Sequence, residues 1–268
     1  MPLAVCATPI GNLEDVTLRV LRELGEADLV LCEDTRHTRG LLQRHGIEAT
    51  LRSYHEHNEA QRTAEVLPRL KAGERIALVS DAGLPGISDP GGRLVAAALE
   101  AGVPVTVLPG PSAVETALVA SGFGTDRFQF LGYLPRGAGE RRALWEELAQ
   151  WPHAVVAFES PQRLAAVLAS LAEALPDRPV AVCRELTKRF EEVVRGTAKE
   201  VAERFSDSAK GEITLVIGPA EAQVRVDENA AADAVAELVA GGASRRSAAD
   251  IVSRLTDVPR NKLYRRSL

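Results

Sequence analysis

Residues 79–92 read Val-Ser-Asp-Ala-Gly-Leu-Pro-Gly-Ile-Ser-Asp-Pro-Gly-Gly. The apolar run Ile76–Val79 that leads into them has the length of a buried strand, and Leu94–Leu99 after them has helical periodicity. Between the two lie four glycines, two prolines and two aspartates. Glycine lets a backbone approach a ligand closely, and proline keeps the segment from continuing as helix. A plain strand-to-helix connection needs only about 2–6 residues, so this one reads as a binding loop. In an open α/β sheet such loops stand at the carboxyl ends of strands, where ligands bind.

The same strand, loop and helix recur on both sides of it. Leu3–Ala7 reads as a strand, Thr8–Asn12 as a turn and Leu13–Leu24 as a helix. Asp28–Cys32 is a second strand that ends in the polar cluster Glu33–Thr38, before a short helix Arg39–His45. An extended segment Thr50–Tyr54, the polar run His55–Glu59 and a helix to Leu70 follow. Downstream, the strand Val103–Leu108 meets Pro109–Ala113, which opens a helix to Ser121. This alternation predicts an α/β fold with a mostly parallel N-terminal sheet covered by helices on both faces.

Gly122–Asp126 reads as a linker between two α/β domains, residues 1–121 and 127–220. The second domain offers strands at Phe128–Tyr133, Ala154–Phe158 and Val180–Cys183, with helices over Glu140–Gln150 and from Pro161 through Leu175. Glu191–Arg195 and Glu212–Ile217 alternate polar and apolar residues, which predicts adjacent antiparallel strands and a mixed C-terminal sheet. Residues 227–268 read as a small helical tail. It begins with the alanine-rich helix Asn229–Val239. Ser244 can then cap a helix with Ala248, Ile251, Val252 and Leu255 on one face. Thr256–Asp257 breaks it, and Pro259 opens a short helix carrying Leu263 and Tyr264.

Composition sets the class. Across 268 residues, 46% hydrophobic and 26% charged, the chain has the balance of a globular protein, and its longest apolar runs are strand-length. Met1-Pro2-Leu3 runs straight into a strand with no charged leader, so a cytoplasmic protein is expected. Cys6, Cys32 and Cys183 share no metal-ligand spacing and read as buried thiols in a reducing compartment. Net charge is −5, but residues 241–268 carry +5 and the first 240 carry −10. A basic tail on an acidic body suits a polyanion such as RNA, and a packing or dimerisation segment is the competing reading.

Standard nucleotide fingerprints are absent: there is no G-x-G-x-x-G and no G-x-x-x-x-G-K-[ST]. His55 and His57 lie on an extended segment rather than a metal-binding helix, and no metal is expected. No nucleophile-elbow serine occurs either. The chemistry concentrates instead in polar loops at strand ends: 8–12, 33–38, 80–89, 109–113 and 184–188. Ser112 is placed to cap its helix, whose amides would attract a carboxylate or phosphate. Glu33 or Asp34 can pair with Arg36 as plain structure, or the cluster can serve chemistry.

Taken in order, TPIGNL at 8–13, EDTRHT at 33–38, HEHNE at 55–59, VSDAGLPGISDPG at 79–91, LPGPSA at 108–113 and FES at 158–160 form a recognisable series. RELTK at 184–188, FEEVVRG at 190–196 and KGEITLVIG at 210–218 complete it. The series resembles the bacterial 16S ribosomal RNA 2′-O-ribose methyltransferases that modify a decoding-centre cytidine, a branch of the tetrapyrrole methylase superfamily. One departure is Leu84, where that pattern commonly has threonine.

The resemblance implies a two-domain fold, a homodimer and S-adenosylmethionine bound in the cleft between the domains. Carried over, Pro9, the loop Ser80, Asp81, Ala82, Gly83, Pro85, Ile87 and Ser88, and the loop Pro109, Gly110, Pro111, Ser112 and Ala113 line the cofactor. Leu186 approaches from the second domain, as does the segment Gly211–Thr214 with Glu212 and Ile213. Asp34, Glu185 and Lys188 are candidates for activating the ribose hydroxyl, with Arg36 and His37 gripping phosphate. The expected partner is 16S ribosomal RNA or the small ribosomal subunit. A methyltransferase of a tetrapyrrole or another small molecule is the runner-up, and a silent RNA-binding module is the rival from outside enzymology.

Overall fold

Strands without a polar residue need cover on both faces. Leu3–Cys6 (β1), Leu29–Cys32 (β2) and Ile76–Leu78 (β4) are buried at every position, the pattern of a parallel sheet between two helical layers. In the computed structural model, which describes residues 2–207, 209–220, 228–256 and 258–267, they form the middle of a five-stranded parallel sheet. Leu51–Ser53 (β3) and Val105–Leu108 (β5) are its edges, and the order is β3-β2-β4-β1-β5. Alternate residues face alternate layers. Leu3, Val5, Leu29 and Leu31 pack with Val66 and Leu70 of α3 (Glu59–Lys71) and Leu94 and Ala98 of α4 (Gly92–Glu100). Ala4, Cys6, Val30 and Cys32 pack with Val20 and Leu24 of α1 (Leu18–Glu26) and Leu42 of α2 (Thr35–Arg44).

The next helix, α5 (Ala113–Ser121), follows the first sheet in sequence but turns its apolar face to the second. Val114, Ala117 and Leu118 pack with Ala154, Val156, Ala181, Cys183 and Val216. That sheet comprises β6 (Phe128–Tyr133), β7 (Ala154–Glu159), β8 (Pro179–Arg184), β9 (Glu192–Thr197) and β10 (Ile213–Ile217). Its other face is covered by α6 (Ala138–Leu148), α7 (Pro161–Ala174) and α8 (Ala198–Arg204). The order is β6-β7-β10-β8-β9, with β6–β7 parallel and the remaining pairs antiparallel.

Three sequence expectations need correction. β9 and β10 are not neighbours, because β8 lies between them and β10 fills the slot beside β7. There β10 is buried at all five positions, so its one polar residue, Thr214, does not mark a solvent face. The helix expected over Leu13–Leu24 is interrupted: Asn12 Oδ1 accepts from Glu14 N and caps a 3-10 turn at Leu13–Asp15, and Thr17 then caps α1 by accepting from Val20 N. Finally, α2 starts at Thr35 rather than Arg39, because Asp34 is its N-cap.

The last helices form a separate compact unit within 221–268. Glu228–Ala240 (α9), Arg245–Thr256 (α10) and Arg260–Arg266 (α11) share a small core of Ala231, Val235, Ala248, Ala249, Val252, Val258 and Leu263. Ser244 Oγ accepts from Ser247 N at 3.1 Å, the expected cap. The expected stripe is half right: Ala248 and Val252 face the core, but Ile251 and Leu255 are exposed and Ala249 takes the inner place. α10 ends at Thr256; Asp257, the other half of the expected break, lies outside the described residues. Among the described residues, no helix is long and apolar enough to cross a membrane.

Candidate active site

Parallel strands deliver their following loops to one rim, and a two-residue bridge locks two of those loops together. Thr8 N donates to Gly83 O at 2.8 Å and Gly83 N to Thr8 O at 3.0 Å, while Thr8 Oγ1 donates to Ser80 O at 3.0 Å. Gly83 sits at φ +75, a conformation glycine adopts without a Cβ penalty. The far end of the same loop is anchored by Glu59, whose Oε1 accepts from Gly91 N at 3.0 Å and from the buried Tyr54 hydroxyl at 3.1 Å. The polar run His55–Glu59 therefore supports the loop from behind.

The loop after β8 reaches across from the second sheet. Glu185 Oε1 accepts from Glu212 N at 2.9 Å and from Lys188 Nζ at 3.1 Å, and Lys188 Nζ also lies 3.1 Å from Glu212 Oε2. Thr187 Oγ1 accepts from Asn12 N at 3.0 Å. Among the described residues, the non-glycine residues with left-handed backbone are Ser88, Glu185 and Thr187, all in these loops. Such strain persists where surrounding structure fixes it, and it clusters at functional sites.

The loops enclose two cavities with a common wall. The larger, of about 360 Å³, is bounded by Ala82–Leu84 and Ile87–Asp89, the start of α5 at Ser112–Val114, Tyr133, Phe158–Pro161 and Gly211–Thr214. The smaller, of about 270 Å³, is bounded by Thr8–Gly11, Leu13, His37, Thr38, Leu41, Ser80 and Lys188. Ile10, Asp81, Ala82 and Glu212 line both. A third, acidic cavity of about 460 Å³ lies behind Ser88 and Asp89 and carries Glu33, Glu56 and Glu59.

Of the cofactor candidates, Asp81, Ala82, Gly83, Ile87, Ser88, Ser112, Ala113, Glu212 and Ile213 line the larger cavity. Pro9 and Ser80 line the smaller one. Pro85, Pro109, Gly110, Pro111 and Leu186 line neither. A Cβ on Gly110 would lie 2.9 Å from Ala7 Cβ, so the close approach that requires glycine there is to the end of β1. Leu186 is buried in the core beneath α5. Ser112 occupies the N-cap position of α5 with the extended backbone usual for a cap, but its side chain makes no cap bond, contrary to expectation. The first amides of α5 are left without that cap at the cavity wall.

The catalytic candidates divide. Asp34 Oδ1 accepts from Arg36 N at 2.8 Å and Oδ2 pairs with Arg36 Nη2 at 2.8 Å, so the structural pairing is realised. Those bonds from Arg36 hold the Asp34 carboxyl down at about 2, the range of a weak base. Neither residue lines any of these three cavities, and the Arg36 side chain is 86% exposed. Asp34 N instead donates to Asp81 Oδ1 at 3.0 Å, tying its loop to the cavity wall. Glu185 is held below the ordinary carboxylate range, chiefly by the Glu212 amide. Burial opposes the charge on Lys188, but the Glu212 and Glu185 carboxylates outweigh it and raise its pKa. Lys188 is thus a fixed ammonium at the edge of the smaller cavity.

Asp89, Tyr133, Phe158 and Glu159 line the larger cavity without having been singled out as cofactor residues. Asp89 was legible, being in the same loop as Ser88. Burial, followed by the nearby Glu33 charge, pushes its carboxyl from 3.8 up to about 6. Glu159 has a side chain with no exposure; its Oε1 accepts from Ser160 N at 2.6 Å and its Oε2 lies 3.1 Å from Arg163 Nη2. Tyr133 carries no local signal, since only the folding of β6 beside β7 brings it to the cavity.

Residues 2–202 match the family of Tetrapyrrole (Corrin/Porphyrin) Methylases. Ribosomal RNA small subunit methyltransferase I of Mesorhizobium japonicum is 45% identical over 269 residues, covering 99% of this chain and 91% of that protein. The protein of the same name from Synechocystis is 44% identical over 270 residues, covering 99% and 97%. That from Thermotoga maritima is 45% identical over 220 residues, which cover 82% of this chain but 99% of the relative. Among solved structures, uroporphyrin-III-C-methyltransferase of Thermus thermophilus aligns with a TM-score of 0.56 at 23% identity, covering 81% of this chain and 93% of the other. The methyltransferase CobJ aligns at 0.62 and 21% identity, covering 81% and 94%. At those identities the two structures share the fold.

Proposed function

Since the chain belongs to the tetrapyrrole (corrin/porphyrin) methylase family, alongside the small-subunit ribosomal RNA methyltransferases it matches end to end, we propose that it methylates the ribose 2′-hydroxyl of a decoding-centre cytidine in 16S ribosomal RNA. It is an S-adenosylmethionine-dependent ribosomal RNA methyltransferase. The observation that carries the finer reading is the wall shared by two cavities, one fit for the methyl donor and one open to a second reactant.

The residues of the larger cavity suit the donor's mixed charge. The α5 N-terminus at Ser112–Val114 would take its carboxylate, since helix amides favour an anion. Asp81, Asp89 and Glu212 would face its positive groups, and Phe158 and Ile213 would pack on its adenine. When bound, S-adenosylmethionine supplies a methyl group on a sulfonium that departs as a neutral thioether. Holding two reactants in line and in contact where the two cavities adjoin contributes up to about 7–11 kcal/mol of barrier lowering. Asp81 and Glu212 face both cavities and are the carboxylates placed to take the hydroxyl proton. Lys188, kept charged by its two partners, would stabilise the oxygen as it loses that proton.

The same reading takes residues 1–121 and 127–220 as the two α/β domains and 227–268 as a basic tail that binds RNA. It takes the protein as cytoplasmic and as a homodimer, which would cover the exposed apolar side chains Leu99, Val107 and Val119. The test is transfer of labelled methyl from S-adenosylmethionine to unmodified small ribosomal subunits, with the product mapped as an alkali-resistant ribose linkage. Label on a base, or on a small tetrapyrrole in preference to subunits, would overturn it.

A further inference from the structure

We infer that the smaller cavity, bounded by Pro9, Ile10, Leu13, His37, Leu41 and Lys188, seats a single unstacked nucleotide, which on the reading above is the target. Its position comes first. Ile10, Asp81, Ala82 and Glu212 line it and the larger cavity alike, so the two cavities adjoin at these residues and a ribose oxygen seated in one can approach the methyl group held in the other. The third cavity touches the larger one only through Ser88 and Asp89 and shares no residue with the smaller one, so it does not offer a seat beside both.

The lining of the smaller cavity has two chemistries in the right places for a nucleotide. Pro9, Ile10, Leu13 and Leu41 form an apolar surface on which a base can lie. Leu13, on the 3-10 turn, remains 36% exposed, a large apolar side chain left at the mouth. His37 and Lys188 bring cationic or hydrogen-bonding groups to the same cavity from opposite sheets. Lys188 is no free surface lysine: Glu185 and Glu212 each hold its ammonium at 3.1 Å, and its stem packs on Gly11. A cation fixed at one point suits one phosphate or one ribose oxygen rather than a diffuse polyanion.

Size limits the occupant further. At about 270 Å³ the cavity falls just below the common range of small-ligand sites, about 300–1,000 Å³. That leaves room for one nucleoside and none for a base-paired step. The nucleotide must therefore leave its stack, as bases do in enzymes that act on them inside a pocket.

The experiment fills the cavity without touching the cofactor wall. Leu13→Trp puts a large ring at the mouth from an exposed position, and His37→Ala removes one polar group from the lining. Both are compared with the wild-type protein for calorimetric binding of S-adenosylmethionine and for kcat and KM with unmodified small subunits. Leu13→Trp is expected to bind the cofactor within about twofold of wild type and to lose about 100-fold in kcat/KM, while His37→Ala raises KM about tenfold with kcat little changed. Leu13→Trp turning over subunits at the wild-type kcat/KM overturns the proposal, as does a parallel loss of cofactor binding in a folded protein. Should Leu13→Trp fail to fold, Leu13→Phe and His37→Ala decide in the same way, and an unchanged KM in both overturns it. If the wild-type protein itself methylates no subunit RNA, the proposed function has failed rather than the seat.

Discussion

Gly11 and Lys188 are packed so closely that a Cβ on the glycine would lie 2.5 Å from Lys188 Cγ. The same Cβ would stand 2.8 Å from Leu186 O, a backbone atom that cannot swing aside. This is where the loop after β1 meets the loop after β8, so the spacing of the two sheets at the site depends on a missing side chain. Gly11→Ala is expected to push Lys188 off its two carboxylates and lower kcat by about tenfold or more, with a smaller loss in melting temperature. Gly40→Ala is the control: it lies inside α2 with nothing within 4 Å of its Cβ and should stabilise by about 1 kcal/mol. Equal activity in the two variants would show that the close packing at Gly11 does not govern the site.

Lys188 offers a test of its own. Lys188→Ala removes the one cation held between Glu185 and Glu212, and the expected result is intact cofactor binding with most methyl transfer abolished. Rates at saturating cofactor and subunits check it, and near-normal turnover would mean the ammonium is only a brace. Lys188→Arg keeps the charge but not the compact head. Recovery with arginine would point to phosphate grip, and continued loss to stabilisation of the reacting oxygen.

Asp89 sets a pH dependence. Its carboxyl is pushed from 3.8 to about 6 by burial and then by Glu33, so the folded protein favours the protonated form. Between those values the unfolded chain has already released this proton while the folded chain keeps it. This group's contribution to stability therefore falls as pH rises from about 4 to about 6 and changes little above. A cationic ligand favours the ionised form, so affinity for S-adenosylmethionine should rise with pH through about 6 and then level off. Calorimetry in buffers of different ionisation enthalpy should detect proton release below that point, and Asp89→Asn should abolish it. A flat pH profile in the wild-type protein would remove Asp89 from the cofactor wall.

What the sequence made legible follows from how local each signal is. The parallel sheet could be read because β1, β2 and β4 are short, wholly apolar and followed by glycine- or proline-bearing or polar loops. Most of Ser80–Ser88, and Ser112–Ala113, could be read as cavity wall because the composition of these loops is abnormal for a connection. Asp34 was harder, since a cap and a catalytic carboxylate use the same residue type, and only the short bonds to Arg36 separate them. The slot taken by β10, and the arrival of Tyr133 and Phe158 at the cavity, depend on strand order, which no local pattern records. Gly110 shows a different limit: the need for glycine was visible, but not that its neighbour is Ala7.

The basic tail can be tested cleanly only if it is removed as a unit. A cut at residue 243 would keep α9 and strip away α10 and α11, leaving Ala231 and Val235 without the Ala248, Val252 and Leu263 that bury them. Such a truncation would expose apolar surface and confuse aggregation with function. Deleting 221–268 removes this small core entire, together with the +5 carried by residues 241–268. Counterion release governs RNA binding, so the slope of log affinity against log salt should flatten by somewhat less than one unit for every phosphate the shortened chain no longer neutralises. The expected outcome is weaker subunit binding with a flatter salt slope, unchanged cofactor affinity and unchanged oligomeric mass. Ile251 and Leu255, exposed on α10, give the rival reading its best footing, because apolar side chains suit a protein partner. Ile251→Ser with Leu255→Ser in the full chain separates the two: a change of mass without a change of salt slope makes the tail an assembly element, and the reverse leaves it an RNA-binding one.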